Sequence, residues 1–222
     1  MNANTPNQPR HTHNAGVPPA PPEAHPKAGL GRRYLSCAET AKLVRQALKE
    51  AFPGVKFGVR SSTYSGGASI SVRWEDGPNT AQVEAITNRF KGAYFDGSID
   101  YKGSVYHMMD GQQISFGADY IFTSRSYTEA SIERAIDTVF RHFRANFREA
   151  GLERPTVAQY RKGQLMHFRF ADVQQEISQV LWKHSDRLSV AKSATAAKVF
   201  VTHDDGYSRS CGCGISFVPQ DL

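Results

Sequence analysis

Two runs of alternating apolar and polar residues meet at a pair of glycines, and no helical face can be drawn through either run. Phe57 and Val59 alternate with Lys56 and Arg60, and after Thr63-Tyr64-Ser65-Gly66-Gly67 the residues Ala68, Ile70, Val72 and Trp74 alternate with polar neighbours. A period of two places successive side chains on opposite faces of a strand, so a Gly-containing connection between two such runs predicts a β-hairpin with one buried and one wet face. Whatever else the chain forms must cover the apolar face of that hairpin.

The flanking segments supply helices suited to that task. Ser36-Cys37-Ala38-Glu39 has the spacing of a capping box, and Ala41, Val44, Ala47, Leu48 and Ala51 then recur on one helical face until Pro53-Gly54. Lys42, Arg45 and Lys49 form a basic stripe on the opposite face, read either as a solvated surface or as a binding strip. After the break at Glu75-Asp76-Gly77-Pro78, Asn79 and Gln82 form a second capping pair, with Val83, Ile86, Thr87 and Phe90 facing inward. Tyr94-Phe95-Asp96-Gly97 reads as a turn. Ser104 to Met109 and Gln113 to Phe122 read as strands joined at Asp110-Gly111, with Ile114, Phe116, Ala118 and Tyr120 on one face.

Further on, Thr128 is placed to cap a long helix from Glu129 to Ala150, with Ile132, Ala135, Ile136, Val139, Phe140, Phe143 and Phe147 buried. Asp172 and Gln175 open another, aligned on Val173, Ile177, Val180, Leu181 and His184. Lys198 to Thr202 and Gly214 to Val218 read as strands around the turn Asp204-Asp205-Gly206. The expected fold is α+β: a mainly antiparallel sheet covered by helices, followed by a helical C-terminal half carrying a short β-hairpin.

Residues 1–33 differ in kind. They hold Pro6, Pro9, Pro18, Pro19, Pro21, Pro22 and Pro26 of the 11 prolines, and Val17 and Leu30 are almost their only aliphatic residues. Such a stretch cannot bury enough apolar area to offset its ordering entropy, so it is expected to be a disordered arm. The expected division is therefore 1–33 arm, 34–126 α+β domain and 127–222 extension or second domain. The arm also carries half of the formal net charge of +6, from Arg10, Lys27, Arg32 and Arg33 against Glu23. No stretch approaches the roughly 20 apolar residues of a membrane-spanning helix. Three cysteines, with Cys211 and Cys213 flanking one glycine, do not describe a secreted disulfide framework, and the expected setting is the reducing cytoplasm.

Few residues announce chemistry. Tyr64-Ser65-Gly66-Gly67 is too short for a nucleotide-binding loop and lacks the following Gly-Lys-Ser/Thr. Asp96 and Asp100 flank turns, where Asp serves local hydrogen bonding. His203, Cys211 and Cys213 make only three of the four ligands that structural zinc takes, and plain strand cysteines are the simpler reading. Cys37, just inside a helix N-terminus, is the only nominated nucleophile, and a buried thiol is the alternative. No cofactor, metal or catalytic set is therefore assigned. The candidate contact residues are Lys42, Arg45 and Lys49 on the helix, Arg60, Ser61, Ser62, Tyr64, Gly66, Gly67 and Arg73 on the hairpin, and Tyr101 as a further stacking group.

The stretch from Tyr34 to Phe122 resembles a known family through several strings. They are Tyr34-Leu35-Ser36-Cys37-Ala38-Glu39-Thr40-Ala41, Phe52-Pro53-Gly54-Val55-Lys56-Phe57, Arg60 to Ser69, Trp74-Glu75-Asp76-Gly77-Pro78, Phe95 to Tyr101 and Phe116-Gly117-Ala118-Asp119. The family is the large polyvalent-protein-associated domains of class twenty-nine. The resemblance implies a protein of a phage or conjugative element that helps the element establish itself, and it brings no catalytic residues. The expectation is a non-enzymatic binding protein acting against host defence, such as an anti-CRISPR or antirestriction protein, with a host protein or nucleoprotein complex as partner. The alternatives are a DNA- or RNA-binding accessory protein and a small Cys-dependent enzyme.

Overall fold

The structure, a computed structural model, describes residues 32–163, 165, 172–186 and 190–207. The Pro-rich arm before Arg32, Cys211, Cys213 and the expected strand from Gly214 to Val218 lie outside the described residues. The elements run β1 (Arg33–Leu35), α1 (Cys37–Ala51), β2 (Gly58–Tyr64), β3 (Gly67–Glu75), α2 (Thr80–Thr87), β4 (Ala93–Asp96), β5 (Tyr101–Met109), β6 (Gln112–Phe116) and β7 (Tyr120–Ser126). They continue α3 (Glu129–His142), α4 (Arg144–Glu149), α5 (Val157–Lys162), α6 (Val173–Lys183), α7 (Ala194–Ala197) and β8 (Val199–Asp204).

The fold is α+β, but its strands form two mixed sheets where one mainly antiparallel sheet was expected. A three-stranded sheet has the order β2-β3-β7, and a five-stranded sheet has the order β1-β6-β5-β4 with β8 also paired to β5. The hairpin β2-β3 is antiparallel, with Ser62 opposite Ser69 and Val59 opposite Val72. β7 lies parallel to β3, and β1 parallel to β6. These parallel pairings need long crossovers that carry helices, which is why local alternation does not disclose them.

Three expected elements change. The single strand from Gln113 to Phe122 is two strands in different sheets, because the chain crosses between sheets at Gly117-Ala118-Asp119. Tyr94 to Asp96 is strand, and the turn occupies the four residues that follow. The helix from Glu129 breaks at Phe143, whose backbone leaves the helical region, and resumes as α4.

One core lies between the sheets and their helices. Val44, Leu48 and Phe52 from α1 and its end meet Ile70, Val72 and Trp74 from β3 and Ile114 and Phe116 from β6. Phe57 bridges Phe52 and Trp74, with ring centroids 5.8 Å from each. Each large apolar side chain removed from water here contributes roughly 1.5–3 kcal/mol. Both capping boxes form as the sequence predicts, at Ser36/Glu39 and Asn79/Gln82. A second core joins Ile132, Ile136 and Val139 of α3 to Val173, Ile177 and Leu181 of α6, with Phe147 of α4.

After α6 the chain returns to the first core. Ala196 and Val199 are buried in it, and β8 runs antiparallel to β5. The C-terminal half is thus helical only in part, and its strand joins the five-stranded sheet. Glu50 anchors this return. Its carboxylate accepts from the Ser193 hydroxyl (2.8 Å), the Thr195 amide (2.9 Å) and the Thr195 hydroxyl (2.9 Å). Those donors hold its pKa down at about 2, the Thr195 amide contributing most. A depressed carboxylate stabilises the fold above the ordinary carboxylate range and loses that contribution as pH falls toward 2. Replacing Glu50 with Ala is expected to lower stability by about 1.5–3 kcal/mol, typical for hydrogen bonds to a charged group, read as a lower urea midpoint at neutral pH. An unchanged midpoint would show that the return of the chain does not depend on this carboxylate.

Candidate functional site

The two faces of the three-stranded sheet have different fates. Residues directly opposite each other across strands share a face. The row Val59-Val72-Thr123 points inward: Val72 is fully buried, and the Thr123 hydroxyl donates to Glu84 of α2 at 2.8 Å. The rows Arg60-Ser71-Phe122 and Ser62-Ser69-Tyr120 therefore point outward, with Gly58-Arg73-Ser124 beside them. α1 and α2 cover the inner face, and no described element covers the outer one. Phe122 is left 58% exposed and Tyr64 51% exposed.

Lys102 of β5 closes one end of this shelf. Its ammonium lies 2.7 Å from Asp119 and 6.0 Å from the centroid of the Tyr120 ring. Asp119 holds Lys102 in its charged form, raising its pKa. The rings of Tyr120 and Phe122 are 6.1 Å apart. Arg60 and Arg73 are exposed and make no ion pair among the described residues. Ser62, Ser69 and Ser71 pave the middle of the face. Glu75 is its acid, at the far end of β3.

The expected contact residues divide between surfaces. Arg60, Ser62, Tyr64 and Arg73 come together on the outer sheet face, whereas Ser61, opposite Ile70, alternates to the other side of its strand. Lys42, Arg45 and Lys49 are exposed on α1, which packs on the inner side, and Arg45 spends a donor on the Val59 carbonyl at the edge of β2 (2.8 Å). The Gly66-Gly67 turn is closed around the protein's own carboxylate: Asp119 accepts from the Ala68 amide (3.0 Å), and a Cβ on Gly67 would meet Asp119 and the Tyr64 ring. A phosphate there would meet like charge. Gly66 itself, with φ of 90°, serves the turn.

Tyr101 is not on the shelf. Its hydroxyl donates to Asp205 (2.8 Å), as does that of Tyr94 (2.6 Å), and its ring packs against Tyr207 at 4.5 Å. The Asp205 carboxylate pushes the Tyr101 pKa up to about 12. This group clamps the end of β8 to β4 and β5. Sequence reasoning read Asp205 only as a turn residue.

The sequence also missed Tyr120 and Phe122 as surface groups. A single strand through Ala118 puts Tyr120 inward, but the crossover at Gly117-Ala118-Asp119 shifts the alternation, so Ile121 is buried at 5% exposure and its neighbours face out. Gly117 in that crossover was the available signal.

The groups nominated for chemistry are built into packing. Cys37 is buried, its thiol directed at the Ser69 carbonyl (3.5 Å), and burial pushes its pKa up, the reverse of an activated nucleophile. His203 stacks on Tyr106 at 4.5 Å. Among the described residues no cluster of His, Cys, Asp and Glu is arranged to hold a metal ion, and no helix is long and apolar enough to cross a membrane.

His107 is fully buried against Phe116, and neither ring nitrogen reaches a hydrogen-bonding partner among the described residues. Burial pushes its pKa down to about 4, against a smaller opposing contribution from the Val105 backbone. The unfolded chain takes up this proton near pH 6.5 and the folded one only near pH 4, so stability should fall between those values, by up to about 3 kcal/mol. His107→Leu should flatten that dependence in denaturant titrations across pH. An equally steep curve in the variant would contradict the assignment. Cys37 should react with a thiol reagent only on unfolding, and rapid labelling of the native protein would refute its burial.

No curated protein and no solved structure matches the chain. Residues 35–128, from the end of β1 to the cap of α3, match the family model described as large polyvalent protein associated domain 29.

Proposed function

We propose that the chain is a non-enzymatic binding protein of a mobile genetic element, a phage or conjugative plasmid, that acts in the host cytoplasm against a defence system. It engages a defence protein or nucleoprotein complex through the outer face of the β2-β3-β7 sheet. The observation that carries this reading is the shelf itself: Phe122 and Tyr64 stand more than half exposed on the face that also presents Arg60 and Arg73, and no described residue pairs with either arginine. Soluble proteins rarely leave contiguous aromatic surface in water unless it meets a partner. Tyr and Arg are also the side chains that contribute most where partners dock.

The family context supports the mobile-element setting, and the burial of Cys37, which pushes its thiol pKa up, weighs against a Cys-dependent enzyme. A nucleic-acid accessory protein is the second reading, and the charge of Arg60 and Arg73 favours it.

The test is the plating efficiency of a sensitive phage on hosts carrying CRISPR or restriction systems and on undefended hosts. Expressing the chain should raise plating on a defended strain toward the undefended level. The variant Tyr64→Ser/Phe122→Ser, on exposed positions that leave the core intact, should lose the effect. Equal plating with and without the protein in every defence background would contradict the proposal.

A further inference from the structure

We propose that single-stranded nucleic acid is what this face recognises in its target, an inference that rests on the reading of the outer sheet face as the working surface. The chemistry of the face matches a strand of unpaired bases better than a protein surface. Tyr120 and Phe122 are successive outward residues of one strand, with ring centroids 6.1 Å apart, so each presents a π-face to a different base. Tyr64 stands at the turn end of the hairpin, its ring over Gly67, one outward row beyond the Ser62-Ser69-Tyr120 row. Base–aromatic stacking is sequence-tolerant and needs bases free of a duplex.

Between the rings the face is flat and small. Ser69 and Ser71 separate Ser62 and Arg60 from Tyr120 and Phe122, and strands about 4.8 Å apart make the shelf roughly 10 Å wide. Serine hydroxyls lining that floor can pair with base edges or sugar hydroxyls.

The charges complement a polyanion. Arg60 sits in the row of Phe122, and Arg73 is diagonal to it on the middle strand. Both are free of ion pairs among the described residues, whereas Lys102 beside Tyr120 is already neutralised by Asp119. Aromatic rings flanked by exposed guanidinium groups are the arrangement expected of a site for a strand whose bases stack inward while its phosphates run along the basic margin. The α1 stripe is on the other side of the sheet and takes no part.

The probes are labelled oligo-dT and oligo-U of about 12 nucleotides, within the span covered by small single-strand binders. A duplex of the same length and heparin serve as competitors, followed by fluorescence anisotropy on the full chain. Both single strands, or one of them, should bind with affinity that falls as salt rises from about 50 to 200 mM. The difference between the two reports whether the sugar hydroxyl is read. Phe122→Ser and Tyr64→Ser should each weaken binding roughly tenfold or more, and Phe122→Trp should retain it. Arg60→Glu should weaken binding and flatten the salt dependence. Lys42→Glu/Lys49→Glu should leave binding unchanged. Circular dichroism melts confirm that each variant folds.

Absence of binding at low salt would overturn the inference, as would binding matched by duplex and heparin and indifferent to Phe122. Loss of oligonucleotide binding alongside intact protection in the plating assay would remove this inference and leave the anti-defence reading. Binding without protection in any background would do the reverse.

Discussion

The chain can reach the arrangement seen only if it passes from one sheet to the other within three residues. Gly117-Ala118-Asp119 is that passage, and it is hydrogen-bonded on every side. The Gly117 amide donates to Leu35 of β1 (2.7 Å), and the Ala118 carbonyl accepts from Gly92 (2.8 Å). The Asp119 backbone joins Ala68 and Ala93, while its carboxylate takes the Ala68 amide and Lys102. A side chain on Gly117 would collide with the Tyr34 hydroxyl and the Leu35 and Cys37 backbone, so the passage requires glycine for closeness of approach. Because the crossing ends at Asp119, β7 enters parallel to β3 with Ile121 inward. That register places Tyr120 and Phe122 in water.

The other joints serve the same division between a filled inside and an open outside. Trp74-Glu75-Asp76-Gly77-Pro78 is a junction between the two cores. Trp74 donates its indole N–H to Pro78 (2.9 Å), Asp76 accepts from the Thr128 hydroxyl at the head of α3, and the Gly77 amide donates to Asp186 (3.1 Å). Arg125 of β7 spreads its guanidinium over the carbonyls of Asp76, Gly77, Leu181 and His184. These four charged hydrogen bonds tie the end of α6 and the Asp76-Gly77 turn to β7, at the end opposite the hairpin turn. Most of the strings that carry the family resemblance thus hold turns, caps and crossings in place, while the string from Arg60 to Ser69 also presents Arg60, Ser62 and Tyr64 to solvent.

Local order was legible in the residues because it is set by local forces. The capping boxes, the inward face of α1, the β2-β3 hairpin and the α3 face all follow from spacing and end chemistry. The two-sheet topology was not, since parallel pairing of β3 with β7 joins residues about fifty positions apart through contacts that no local period records. The same cause hid half of the candidate site. Arg60 and Tyr64 were found on the hairpin, but Phe122 reaches them only through that pairing. Tyr101 was taken for a surface group because its partner, Asp205, is far along the chain.

The central claim is that this molecule meets its target with an open, aromatic and cationic sheet face rather than with a cavity or with the basic side of α1. Amide chemical-shift mapping during titration with a short oligo-dT tests it most directly. The account predicts perturbations concentrated on Arg60–Tyr64, Ser69–Arg73 and Tyr120–Ser124. Shifts centred on Lys42, Arg45 and Lys49, or no localised shifts at all, would contradict it.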